Sequence, residues 1–457
     1  MDAGFEFAKN AVTVRYEDIP AEALKGTKAD VLDTLGTALA GSAAAGGREI
    51  VSLVKEWDGR KESTIVGDGS KVLAIGAALA NGSMAHALDY DDTHEKAHLH
   101  AGVSTIPAAL AVAERVGGVN GKEFLTAVTL GLDMTCRMGL ANPKGPGKWV
   151  GWMLTPLYGF FGATVAAGKL VGLTEEEMVN ALGIAYSQAS GNEQCVLDGA
   201  LTKRMQLGFA AKGGILAALM AQKGITGAKE SLQGRMGIYH TYHQDEYHPN
   251  ALTEELGKRF ESANLSFKPY PCCRFSHAHI DAALALAKQH EISPDEVESI
   301  TAFVDRWPHV LCDPLDIKRN PRTIVDAQFS IPYTVATALV KRGVKIGDFT
   351  LTAIKDPVVV GLANKVTPVL DATLSGQEPA AAALEIKTKR GSFRHQTGYP
   401  YGHPANPMSD EALAQKFRDC AAHAAKALPE ANITGLISMI GRLEDLTDMA
   451  EVTRLLT

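Results

Sequence analysis

"FKPYPCCRFSHAH", residues 267–279, divides the chain into two textures. Pro269 and Pro271 fix their own φ at about −65° and push the residues before them out of the α region, so the segment reads as an extended, rigid connection. Upstream of it, apolar residues recur at helical spacing. "ADVLDTLGTALAG" sets Val31, Leu32, Leu35 and Leu39 on one face and ends at Gly41, read as a C-cap. "TEEEMVNALGIAYSQ" opens with Thr174 and Glu177 in capping-box spacing, and "AAKGGILAALMAQKG" continues in the same style. The wealth of Ala and Gly predicts helices packed with their backbones close together.

Downstream the period changes. In "SPDEVESITAFVDRW" Ser293, Pro294 and Glu296 form a helix start, while Ile300, Ala302 and Val304 alternate as in a half-buried strand. "AALEIKTKRG", residues 382–391, alternates similarly, and "DAQFSIPYTVATALVKRG" reads as helical after Pro332. A second seam carries Pro400, Pro404 and Pro407 before Ser409 caps a closing helix whose texture matches the first half. The expectation is a helical body, an α+β module between the seams, and a last helix that returns to the body.

Bulk properties narrow the function. A chain of 457 residues with 46% hydrophobic and 21% charged residues is an ordinary globular protein with a sizeable core. A formal net charge of −7 argues against nucleic acid or an anionic membrane as partner, while leaving room for small anions where cations gather. Six cysteines, with Cys272 and Cys273 adjacent and the rest scattered, read as reduced thiols of a cytoplasmic protein rather than a disulfide, redox or zinc framework. The start, "MDAGFEFAKNAVTVRYED", lacks the apolar run of a signal peptide. Twenty uncharged residues lie between Lys148 and Lys169, but Pro156 and four glycines favour a helix wrapped inside the body over a membrane span.

Three constellations carry chemistry. "HALDYDDTHEKAHLHAG", residues 86–102, follows a long apolar run, and helical spacing would place His86, Asp89 and Thr93 on one face. It supports three readings: acid–base work by Asp89 and its neighbours, a metal site at His94, His98 and His100, or a solvated loop in which Asp92 or Thr93 caps the next helix. "DGALTKRMQLGFAAKGG" buries Lys203 and Arg204 in an apolar helix, where a lysine either snorkels to solvent or faces an anion. The opening stretch clusters Lys268, Arg274, His277 and His279 at a seam, either as linker surface charges or as cations suited to a carboxylate-rich ligand.

"HALDYDDTH" resembles the signature of the MmgE/PrpD family, which includes 2-methylcitrate dehydratases, cis-aconitate decarboxylases and an iminodisuccinate epimerase. "GLTEEEMVNALGIAYSQASG", "LTKRMQLGFAAKGG", "FKPYPCCRFSHAHIDAALAL", "DAQFSIPYTVATAL" and "GHPANPMSDEALAQKF" look like further blocks in the family's order, so the resemblance spans nearly the whole chain. It implies a mainly α fold: a large all-helical domain from residues 1–266 and 403–457, with a smaller α+β lid domain at 267–402. It also implies a homodimer that uses neither metal nor organic cofactor and binds a small carboxylate anion. Carried over by position, the catalytic residues would be Asp89, Thr93, His100, Lys203 and Lys268, with Arg274, Met153 and His277 binding substrate.

The family reactions would then be run by fixed cations that stabilise charge beside a carboxylate. The first expectation is a hydro-lyase like 2-methylcitrate dehydratase. The alternatives are an epimerase of the iminodisuccinate type, a decarboxylase of the cis-aconitate type and, last, a binder without catalysis. One departure bears on the choice. Where many members carry a histidine in Gly-Trp-His-Pro, this chain has Met153, and Gln206 and Cys273 stand where others can carry histidine. Methionine cannot titrate or donate a strong hydrogen bond.

Overall fold

The computed structural model describes residues 2–57, 59–142, 151–376, 379 and 381–457. They fall into two compact units, one of residues up to 195, 201–265 and 409–457, the other of residues 196–200 and 266–408. Helix dominates, and the described strands are few and short.

The first unit is built on the Thr202–Gln222 helix, which packs against the Ala74–Ala85, Gly102–Val116, Leu154–Leu170 and Glu175–Tyr186 helices. Glycine lets these helices touch. A Cβ on Gly208 would sit 2.2 Å from the Leu79 carbonyl oxygen and 2.3 Å from Ser83 Oγ. Gly41 has a similar task, and not the one its position suggests. It is the last residue of the Ala21–Gly41 helix, whose C-cap is Ser42 in right-handed conformation, and a Cβ there would lie 1.9 Å from the Met84 carbonyl oxygen. Close approach, rather than a left-handed turn, requires glycine.

Thr174 and Glu177 do form the expected capping box. Leu154 to Gly168 are all buried in the Leu154–Leu170 helix, and among the described residues no helix is long and apolar enough to cross a membrane. Residues 149 and 150 of the uncharged run lie outside the described residues. The Asp410–Ala422 helix, capped by Ser409, packs on Ala21–Gly41. None of the six cysteines is in a disulfide.

The second unit holds a four-stranded sheet in the order Val366–Leu370, Val297–Val304, Ala382–Thr388, Gly391–Thr397; the first pair is parallel and the others antiparallel. Ile300, Ala302 and Val304 are buried as their alternation predicts, with Ile300 opposite Ile386 and Ala302 opposite Leu384. The His277–Gln289 and Ile331–Lys341 helices share this core. The Ser293 signature caps only one 3-10 turn, Pro294–Glu296, because the chain enters the strand at Val297.

Candidate active site

The Ala74–Ala85 helix stops at His86, and Asp89 then takes φ 53°, a left-handed conformation that aspartate tolerates better than most residues. The expected helical face of His86, Asp89 and Thr93 therefore does not exist. Residues 86–101 form a buried loop instead, folded back on itself where His94 N donates to the Leu99 carbonyl and His98 takes φ 54°.

That fold dismantles the three-histidine reading. His94 Nε2 lies 3.1 Å from Glu261 Oε2, and its Nδ1 accepts from Ala97 N. Burial alone would raise the Glu261 carboxyl, but the hydrogen bonds of His94 and Asn264, with the charge of Arg259, hold it at about 2. His94 is thus a structural partner, while His100 faces another set of groups.

The loop assembles a chain of four buried side chains. His86 Nδ1 lies 3.0 and 2.9 Å from the two Asp91 oxygens, and its Nε2 is 2.9 Å from Lys203 Nζ. Lys203 also donates to Asp89 Oδ1 at 3.1 Å. A carboxylate on one side and an ammonium on the other assign the proton to Nδ1, leaving Nε2 as acceptor. Burial pushes His86 toward the neutral form and Lys203 adds to it, against the pull of Asp91. Lys203 does not snorkel: its side chain is 7% exposed and that of Asp89 4%.

Thr93 and His100 lie beside this chain. Thr93 Oγ1 is 3.2 Å from His100 Nδ1, which donates to the Asp92 carbonyl at 2.5 Å. The His86 and His100 ring centroids are 5.1 Å apart. Asp92 turns the other way and caps the Gly102–Val116 helix, accepting from Ala101 N at 2.8 Å and Gly102 N at 3.1 Å. The capping half of the solvated-loop reading therefore holds for Asp92, while the solvated half does not, because Asp92 is fully buried.

Behind the loop, Asp30, Asp33, Asp91 and Asp92 are all buried. Burial and the charge of Asp91 push Asp92 up to about 8, and burial with Asp92 and Asp33 pushes Asp30 well above its ordinary value. Lys416 offsets part of this charge. Its Nζ lies 2.5 Å from Asp33 Oδ1, donates to the Tyr90 carbonyl at 2.6 Å, and sits 4.0 Å from the Tyr90 ring centroid.

Met153 and Gln206 belong to one uncharged cluster. Gln206, one turn after Lys203 on its helix, places Nε2 3.5 Å from Met153 Sδ, 3.1 Å from Cys195 Sγ and 3.1 Å from the Asn192 carbonyl oxygen. The second unit holds the remaining expected residues. Lys268 is fully buried there. Arg274 Nη1 lies 3.1 Å from His277 Nδ1 and donates to the Tyr401 carbonyl, while His277 Nε2 is 3.2 Å from the Cys272 carbonyl oxygen, so His277 orients Arg274.

The first unit thus brings together Asp89, Thr93, His100 and Lys203, and the second Arg274 and His277. Sequence reading set His86 on a face with Asp89 and Thr93 but gave neither it nor Asp91 a site role; only the loop fold reveals their pairing. His86, Asp89 and His100 offer ligand atoms within 4.8 Å of one another, a spacing open to a metal ion. Lys203 already places an ammonium against two of the three.

The sequence model described as the MmgE/PrpD N-terminal domain matches residues 6–250, and that of the C-terminal domain matches residues 270–438. Among curated proteins, a cis-aconitate decarboxylase-like protein oryM of Aspergillus oryzae is 26% identical, covering 97% of this chain and 95% of the relative. The cis-aconitate decarboxylase of Aspergillus terreus is 26% identical over 98% of this chain and 94% of its own length. That of Homo sapiens is 27% identical over 95% and 90%.

Proposed function

The chain belongs to the MmgE/PrpD family, whose members act on carboxylic acids, and we propose that it is a carboxy-lyase for an unsaturated tricarboxylate of the cis-aconitate kind. The observation that carries this reading is the buried chain Asp91–His86–Lys203–Asp89. Decarboxylation breaks a carbon–carbon bond and leaves its electron pair on carbon, from which it spreads toward a neighbouring carboxylate. A fixed ammonium in a water-poor site stabilises that charge far better than solvent would. His86, held neutral by burial and oriented by Asp91, keeps Lys203 aimed without adding a competing positive charge.

Thr93 and His100 border this point and are proposed to orient a substrate carboxylate. Lys268 and Arg274 are proposed to bind carboxylate groups, with His277 fixing the guanidinium plane. The curated relatives, matched over nearly their full length, favour decarboxylation over the hydro-lyase expected first. Met153 and Gln206 themselves cannot hand a proton to a leaving hydroxide.

The same two residues support a second reading, epimerisation, which expels nothing. Incubation of the enzyme with cis-aconitate, citrate, methylcitrate and aspartate-derived acids in D2O separates these readings. Release of CO2 with one deuterium in the product supports the carboxy-lyase. Deuterium entry without net conversion supports the epimerase, and loss of water the hydro-lyase.

A further inference from the structure

We propose that Glu193 is the proton donor of this site, presented by a loop that Gln206 and Met153 hold beside Lys203. The inference rests on the carboxy-lyase reading above and deepens it.

The loop is tied at three points. Met153 N donates to the Gly191 carbonyl at 3.3 Å and Glu193 N donates to the Gly151 carbonyl at 2.9 Å, so residues 151–153 and 191–193 run as a short ladder. Gly191 makes this possible: a Cβ there would lie 2.6 Å from Pro156 Cγ and 2.7 Å from the Met153 carbonyl oxygen. The third tie is Gln206. Its Oε1 accepts from Asn192 N at 2.7 Å while its Nε2 donates to the Asn192 carbonyl at 3.1 Å, so one side chain holds both polar groups of the residue before Glu193.

Lys203 and Gln206 stand one turn apart on one helix, three residues being the spacing that puts side chains on a common face. The clamp therefore holds the backbone just before Glu193 against the helix that carries Lys203. Glu193 itself is half-buried. The charged groups that face it are Lys203 from that helix and Asp89 from the 86–101 loop. Burial raises its carboxyl above the usual range, Asp89 adds to this and Lys203 opposes it, which favours the protonated form an acid needs.

The clamp also accounts for Met153 and Gln206. Neither titrates, yet both are packed into the support of a residue that does. The step balances as follows. The bond to the departing carboxylate breaks, CO2 leaves, and the electron pair remains on carbon. Carbon takes the proton of the Glu193 carboxyl to form a C–H bond, and the resulting carboxylate recovers a proton from water.

The test uses the full-length protein with the substrate identified in D2O. Glu193→Gln keeps size and hydrogen bonding but cannot donate as an acid; kcat should fall at least about 100-fold with KM within about threefold. Wild-type kcat should decline as pH rises through the raised Glu193 value, and the residual activity of Glu193→Gln should lack that limb. Gln206→Leu loosens the clamp and spares the carboxyl; kcat should fall less, with the alkaline limb retained. Thermal melts confirm folding, and Glu193→Asp serves if Glu193→Gln does not fold, with an intermediate kcat and the limb retained.

If wild type turns over and Lys203→Met lowers kcat/KM about 1000-fold, yet Glu193→Gln keeps wild-type kcat and pH profile, the proton-donor assignment is wrong and the carboxy-lyase reading stands. If wild type neither releases CO2 nor exchanges hydrogen with D2O on any acid tested, both fall together.

Discussion

Replacing Lys203 by Met removes one positive charge while keeping an unbranched side chain of similar length, which isolates the electrostatic contribution of the ammonium. Its side chain is 7% exposed, so an effective dielectric constant of about 20 applies. A substrate carboxylate about 4 Å away then gains about 4 kcal/mol from the charge. Only the part that grows during reaction accelerates the chemical step. If the negative charge moves from about 6 Å to about 4 Å as the carbon–carbon bond breaks, that part is about 1.4 kcal/mol. The expected result is a kcat about tenfold lower and a kcat/KM about 1000-fold lower, with KM carrying the difference. Asp89 loses its partner in the variant, so a thermal melt must accompany the kinetics. The assay is CO2 release across substrate concentration. A folded Lys203→Met enzyme whose kcat/KM stays within about threefold of wild type refutes the electrostatic reasoning.

Asp30→Asn should stabilise the protein increasingly as pH rises. Burial and neighbouring carboxylates raise Asp30 in the folded chain, so above pH about 4 the unfolded chain ionises there while the folded one resists, and stability drains away. Melting curves at pH 5, 7 and 9 should show a widening gap between variant and wild type; a constant gap would be inconsistent with this. Lys416→Met leaves Asp33 buried without its ammonium and should cost about 3–5 kcal/mol in urea denaturation, as removal of one partner of a buried pair does; a loss under about 1 kcal/mol would show that Asp33 is neutral. Treatment with EDTA should leave kcat unchanged if Lys203 supplies the cation at His86 and Asp89; a loss restored by zinc would hand that place to a metal ion.

Local rules were easiest to read where one residue type had one task. Thr174 with Glu177, Ser409, and the alternation of Ile300, Ala302 and Val304 all behave as spacing dictates, because caps and pleats depend on near neighbours. Gly41 misled, since its reason lies across the unit at Met84, and no local pattern encodes a helix from elsewhere. The 86–101 loop stands out by composition as one candidate for acid–base work among three readings, and the helical period expected through Asp89 ends at that residue's positive φ.

His86 and Asp91 were present in the motif without a signal of who pairs with whom. Glu193 lies in "SGNEQCVLDG", which has no periodicity to mark it, and its importance rests on Gln206, thirteen residues later. Asp30 and Asp33 were hidden in the opposite sense. They sit inside a helix read only for its apolar stripe, and their cost depends on Asp92 and Lys416, which are distant in sequence.

The tie from Lys416 to Asp33 and to the Tyr90 carbonyl has a consequence for biosynthesis. Residue 416 is joined 326 residues after residue 90, so it leaves the ribosome long after residues 33 and 90. Until then the nascent helical unit carries a buried aspartate without its counter-ion and a signature loop without its clasp. Translation pauses or truncations before residue 416 should therefore leave a protease-sensitive intermediate, however complete the preceding helices are.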